Sequence, residues 1–200
     1  VNPFVCNKNR IFVIISDALR YEVAVDLNQR LVQETSGNAE ISAIQSVFPS
    51  LTKYGMAALL PHKELALTDG LQVLSDGSST DGTVNRDKIL KTVNSDNCAV
   101  IYEELLALKQ AQRRELVSGA EVVYIYHNKI DAIGDKQMTE NQVFDACEEV
   151  VDELLNLVKL IVNSMNGTNI LITADHGFCI LISHLKRVTR ARHHSSMVKL

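Results

Sequence analysis

The sequence predicts an α/β protein built on a mostly parallel sheet, and three observations carry that expectation. RIFVIIS (10–16), a short, nearly continuous apolar run rich in β-branched residues, reads as a strand buried on both faces, and EVVYIY (121–126) and NILITADHG (169–177), with its site residues at the end, read as further strands. Stretches of helical periodicity separate them, as crossovers between parallel strands require. The residues able to do chemistry stand just after these runs, at the carboxyl ends where such sheets place their ligand sites.

The elements follow in order. Residues 18–35 place Leu19, Val23, Leu27 and Leu31 at helical spacing, and Ser36-Gly37-Asn38 ends that helix. AEISAIQSVF (39–48) alternates well enough for a second strand, stopped by Pro49-Ser50. Residues 52–60 read as a short helix with Thr52 at its N-terminus, ended by Pro61. Within 62–83, Asp69-Gly70 between two apolar runs signals a hairpin, an excursion from the main sheet. Residues 84–118 read as mostly helical, most strongly over 100–116, and HNKIDAIGDKQM (127–138) reads as a polar loop. Thr139 with Gln142 forms a capping box for a helix reaching to about Met165. Its stripe of Val143, Phe144, Val150, Leu154, Leu157, Val158 and Ile161 should cover one face of the sheet. CILIS (179–183) reads as one further strand.

Composition narrows the class. The 200 residues fit one domain that can bury a core without disulfides or structural zinc. A net charge of −4 gives no overall signature of nucleic-acid binding. The four cysteines (Cys6, Cys98, Cys147, Cys179) are scattered without a CxxC pair, so a reduced, cytoplasmic protein is expected. No apolar run in these residues reaches bilayer length, and no signal peptide is expected. There is no GxxxxGK[ST] loop and no GxSxG elbow, which argues against a P-loop nucleotidase and against acyl transfer. An opening Val that leads almost at once into a strand suggests a fragment of a longer protein. Residues 179–200 carry five Lys or Arg, three His and no acid, an atypical basic segment against residues 1–178.

Four groups are candidates for chemistry. Asp17 ends the first strand, where it would bind a cation, cap the next helix, or accept a phosphoryl group as in a receiver-like domain. Asp175-His176, followed by Gly177, repeats a carboxylate at another strand end and adds an imidazole, a pair able to ligate a divalent metal from a tight turn. Asp131 and Asp135, four apart in the loop after EVVYIY, suit a second metal or a solvated acidic loop. Thr52 is either a cap or a nucleophile whose hydroxyl a metal would activate. Arg20 and Lys53 are candidates to hold substrate oxygens, although exposed ion pairs are the commoner fate of such side chains. His127 is a ligand, an outer partner or a structural histidine.

SDALRYE, FPSLTKYGMAALLPH, YIYHNKIDAIGDK and ITADHGF together resemble a PglZ domain, a branch of the alkaline phosphatase superfamily found in BREX-type bacterial phage-defence systems. The resemblance covers about residues 10 to 178 in the expected order. It implies an alkaline-phosphatase-like three-layer sandwich, with residues 1–178 as the PglZ-type domain. It implies one metal bound by Asp17, Asp175, His176 and the Thr52 oxygen, and a second bound by Asp131 and Asp135. The second position is commonly His in the wider superfamily, and Asp135 here would favour manganese or magnesium over zinc. A further histidine is also implied: His193, seventeen residues after His176, or equally His194.

The function expected from this resemblance is metal-dependent hydrolysis of phosphate esters, with Thr52 as nucleophile and two divalent metal ions, zinc, manganese or magnesium. The implied partners are a phosphate-ester substrate, a nucleotide or nucleic acid among the options, and other BREX subunits including a DNA methyltransferase. The competing expectation is a catalytically weak or inactive subunit that serves as a scaffold in such a complex.

Overall fold

Strand β1 (Ile11–Ser16) is the centre around which the chain folds, and all six of its residues are buried. The structure, a computed structural model, describes residues 10–35, 37–130 and 140–176, apart from the side chains of 140–144 and 146. After β1 come α1 (Tyr21–Glu34), α2 (Thr52–Ala58), β2 (Leu65–Leu67), β3 (Val73–Ser75), β4 (Ser78–Ser79) and α3 (Gly82–Val93). Then follow β5 (Cys98–Ile101), α4 (Tyr102–Ala107), α5 (Gln110–Leu116), β6 (Val122–His127), α6 (Glu140–Met165) and β7 (Asn169–Thr173).

The main sheet has the order β5-β6-β1-β7, and every pairing in it is parallel. Alternation along β1 sorts the core into two layers, because successive side chains leave a strand on opposite faces. Phe12 and Ile14 join the cluster built with Val23 and Leu27 of α1 and Val150, Leu154 and Ile161 of α6. Ile11, Val13 and Ile15 join the other, with Met56 of α2, Leu60 just past it and Ile89 and Leu90 of α3. Helices therefore cover both faces, giving the expected three-layer α/β sandwich. The stripe on α6 buries as its spacing predicted, with Val150, Leu154, Leu157 and Ile161 at 1% exposure or less. Its Val143 and Phe144, the capping box at Thr139 and the strand expected at 179–183 lie outside what is described.

The expected excursion is present as a separate antiparallel sheet, β2-β3-β4. Two expectations are corrected. Residues 39–48 form no strand: 42–50 are exposed, with Phe48 95% exposed, so the alternating side chains have no sheet to face. Residues 98–101, read as part of the mostly helical stretch 84–118, are strand β5, paired with β6. Four apolar residues are too few to separate strand from helix by periodicity, and the neighbouring β6 edge decides. No helix among the described residues is long and apolar enough to cross a membrane.

Candidate active site

Parallel pairing brings the carboxyl ends of β1, β6 and β7 to one edge. Ile15 pairs with Thr173, a register offset of 158 (173 − 15), and Asp17 and Asp175 differ by the same number (175 − 17). The two aspartates therefore stand level, each two residues beyond a paired position, on neighbouring strands. Both are buried, Asp17 at 4% and Asp175 at 3% exposure.

The turn after β1 is made to present Asp17. Its N–H donates to the His127 carbonyl at 2.7 Å, which continues the β1–β6 ladder one step past the strand. Ala18 then takes a left-handed φ of 59°, uncommon for a residue with a Cβ, and its N–H donates to Asp175 Oδ1 at 3.3 Å. Strain in that turn is offset by a bond that ties one aspartate's loop to the other aspartate's side chain. Asp17 does not cap the helix, because α1 begins only at Tyr21 with Arg20 at its N-cap position.

His176 aims Nε2 at the centre of the group. That nitrogen lies 2.9 Å from Thr52 Oγ1, 3.3 Å from Asp17 Oδ1 and 3.5 Å from Asp175 Oδ2. Thr52 is the first residue of α2, one past the N-cap Leu51, so it stands inside the helix and not at the capping position. Its hydroxyl serves His176 instead, donating where Nε2 is unprotonated.

Asp17, Asp175 and His176 each offer one ligand atom, all within 4.8 Å of one another. Asp175 Oδ2 is buried and makes no hydrogen bond among the described residues, which is costly for a carboxylate in a low-dielectric site. Two buried carboxylates, an imidazole nitrogen and a hydroxyl are a mixed oxygen and nitrogen donor set that fits a divalent cation.

Beside this group runs a second polar network. Ser16 Oγ meets His127 Nδ1 at 3.0 Å, and His127 Nε2 meets Glu153 Oε2 of α6 at 2.9 Å. Lys129 Nζ closes it at 2.8 Å from Glu153 Oε1 and 2.9 Å from Glu149. Burial alone would push the Glu153 carboxyl up; the bonds from His127 and Lys129 outweigh it and hold the group below its ordinary value. Lys129 is correspondingly raised by its bonds to Glu153 and Glu149. Serine, histidine and glutamate in a row suggest a hydrolytic triad, but Ser16 is wholly buried and no substrate could reach it. His127, with both ring nitrogens engaged, is a structural histidine.

Of the residues singled out in the sequence, Asp17, Thr52, Asp175 and His176 come together. Lys53 Nζ instead rests 3.3 Å from the Leu71 carbonyl and over the Tyr54 ring. Arg20 lies 3.7 Å from Glu22, with its side chain 18% exposed. Asp131, Asp135 and His193 lie outside the described residues. Sequence reasoning missed Ser46, whose hydroxyl donates to the Asp175 carbonyl at 2.8 Å, and Gly55, whose missing side chain lets α2 approach the same backbone. Nothing marks Ser46 in the sequence, but a glycine inside a helix signals a packing reason. A cavity of about 640 Å³ between α1, α6 and β7 contains none of the four convergent residues.

Comparison with known proteins shows the family. The family described as the BREX system PglZ alkaline phosphatase-like domain matches residues 1–195. The chain is 44% identical over 178 residues to the alkaline phosphatase-like protein PglZ of Bacillus cereus, covering 89% of this chain and 21% of that protein. It is 49% identical over 171 residues to the alkaline phosphatase-like protein BrxZ of Escherichia coli, covering 84% of this chain and 20% of that one. The chain thus spans about a fifth of the length of these relatives. No solved structure gives a match. The match over nearly the whole chain shows the family, and the chain belongs to the BREX-system PglZ alkaline phosphatase-like family.

Proposed function

We propose that this domain hydrolyses phosphate esters with Thr52 as nucleophile, supported by divalent metal ions. The observation that carries the reading is the convergence on His176 Nε2 of the Thr52 hydroxyl, Asp17 and Asp175, within 2.9 to 3.5 Å. Asp17, Asp175 and His176 would hold one cation, with Thr52 beside it. A cation there supplies positive charge that favours ionisation of a neighbouring hydroxyl and offsets charge on a phosphoryl group.

The chain's own part is positional and covalent. Thr52 Oγ forms the bond to phosphorus as the ester oxygen departs and takes up a proton. Water then cleaves the phosphothreonine, releasing phosphate from a monoester, or a monoester from a diester, and restoring the hydroxyl. Arg20, at the start of α1, and Lys53, next to the nucleophile, are the cations assigned to substrate oxygens. Lys53 would exchange its Leu71 carbonyl for that role. Asp131, Asp135 and His193 are the proposed ligands of a second ion, zinc, manganese or magnesium. Work within a bacterial defence complex alongside other BREX subunits, a DNA methyltransferase among them, belongs to the same proposal.

The test is hydrolysis of p-nitrophenyl phosphate and bis-p-nitrophenyl phosphate in the presence of each metal. Thr52→Ala should abolish turnover while leaving metal binding mostly intact, and the preferred substrate separates monoesterase from diesterase. Unchanged turnover in Thr52→Ala removes Thr52 from the chemistry. Metal binding without turnover in the wild type leaves the scaffold reading.

A further inference from the structure

Helix α2 touches the carboxyl end of β7 at two points on one face. At its start, Thr52 Oγ1 meets His176 Nε2 at 2.9 Å. Three residues later, and so on the same side of the helix, buried Gly55 lies against the backbone of Asp175. A Cβ at Gly55 would fall against the Asp175 carbonyl oxygen, 2.7 Å from the carbonyl carbon and 2.9 Å from the Asp175 Cβ. Carbon atoms do not approach so closely, and the obstructing atoms are mostly main chain, which cannot swing aside as a flexible side chain would.

Neither partner is placed to yield. The Asp175 carbonyl already accepts the Ser46 hydroxyl at 2.8 Å. At the far end of α2 the Tyr124 hydroxyl donates to the Leu59 carbonyl at 2.6 Å, tying the helix to β6. Met56 and Ala57 are buried beside Gly55. Backbone conformation does not call for glycine here, because Gly55 is not among the residues with positive φ. A mid-helix glycine costs about 1 kcal/mol relative to alanine. The close approach to Asp175 gives glycine its place here.

We infer that Gly55 is a positioning residue: its bare Cα sets the depth at which α2 seats on Asp175 and so brings Thr52 onto His176. Gly55 touches no substrate and acts through Thr52. The inference deepens the reading of Thr52 as nucleophile and rests on it.

Gly55→Ala, Gly55→Ser and Thr52→Ala test it in histidine-¹⁵N-labelled protein. The first readout is the His176 Nε2 resonance without metal, which reports the bond to Thr52 whether or not the protein turns over substrate. Gly55→Ala should move it in the same direction as Thr52→Ala, Gly55→Ser should move it at least as far, and the buried His127 resonances should stay in place. The second readout is the split between chemistry and binding. Gly55→Ala should lower kcat about 100-fold, as a displacement near 1 Å does, with KM and metal affinity held within about threefold. A wild-type His176 resonance in both glycine variants overturns the inference, and so does loss of the folded state in both, which would make Gly55 a core residue only. Should the wild type show no Thr52-dependent turnover, the proposed function falls while the His176 resonance still decides the role of Gly55.

Discussion

Asp17, Asp175, His176 and Thr52 are legible in the sequence because residue type and position act together. A carboxylate directly after an apolar strand is badly placed for a core and well placed for an edge site. Gly55, Ser46 and Ser16 are not legible in the same way, because what they touch is settled by tertiary approach. The pair of buried aspartates also has a consequence for stability. Asp175→Asn keeps the size of the side chain and an oxygen for the Ala18 N–H while removing one of two carboxylates that face each other in a poorly solvated site. Metal-free Asp175→Asn should melt higher than wild type, by roughly 2–4 °C if the relief is near 1 kcal/mol. Its metal affinity should fall by at least about tenfold, the loss seen when even outer partners of a metal are removed. Thermal melts with and without metal check both. A lower melting point without metal would show that the carboxylates are not in conflict.

At the scale of elements, periodicity served where a segment is long and has a partner. Val150, Leu154, Leu157 and Ile161 of the α6 stripe and the first strand are buried as predicted. It failed at 39–48, where alternation met no sheet, and at 98–101, where a run of four apolar residues carries too little pattern to choose. The Glu153 network between α6 and β6 is also invisible in sequence, since its members are far apart along the chain. Ser16 and His127 are register partners on β1 and β6, and Glu153 reaches them from the helix above. Glu153 is held below its ordinary value in the folded protein. Its contribution is therefore complete above the unfolded-state pKa and is lost as pH falls through the lower, folded value. Lys129, raised by the same contact, contributes fully below its unfolded value and loses its contribution only in strong alkali. Glu153→Gln should accordingly lower the melting temperature at pH 7, and the gap to wild type should shrink below about pH 4. A gap that stays constant from pH 7 to pH 3.5 would contradict this.

For the whole molecule, fold class was legible and strand order was not. The alternation of apolar strands and helices indicates a parallel sheet with helices on both faces. The order β5-β6-β1-β7 depends on which edges pair, and no local pattern records it. The order nevertheless makes the site, since only adjacent β1 and β7 in this register set Asp17 level with Asp175. Packing of α6 on the sheet supports that register. Leu154, wholly buried in the cluster that joins α1 and α6 to the sheet, is the point to perturb. Leu154→Ala should cost about 2–5 kcal/mol, lowering the melting temperature by roughly 5–15 °C. Metal affinity measured well below that melting point should be unchanged. Isothermal titration with manganese or zinc tests the account most directly, using wild type, Asp17→Asn, Asp175→Asn and the remote surface variant Arg30→Ala. The account predicts tight binding by the wild type and Arg30→Ala, and a site weakened at least about tenfold in each aspartate variant. Equal affinity in all four proteins would contradict it, because the strand-end aspartates would then not form a metal centre.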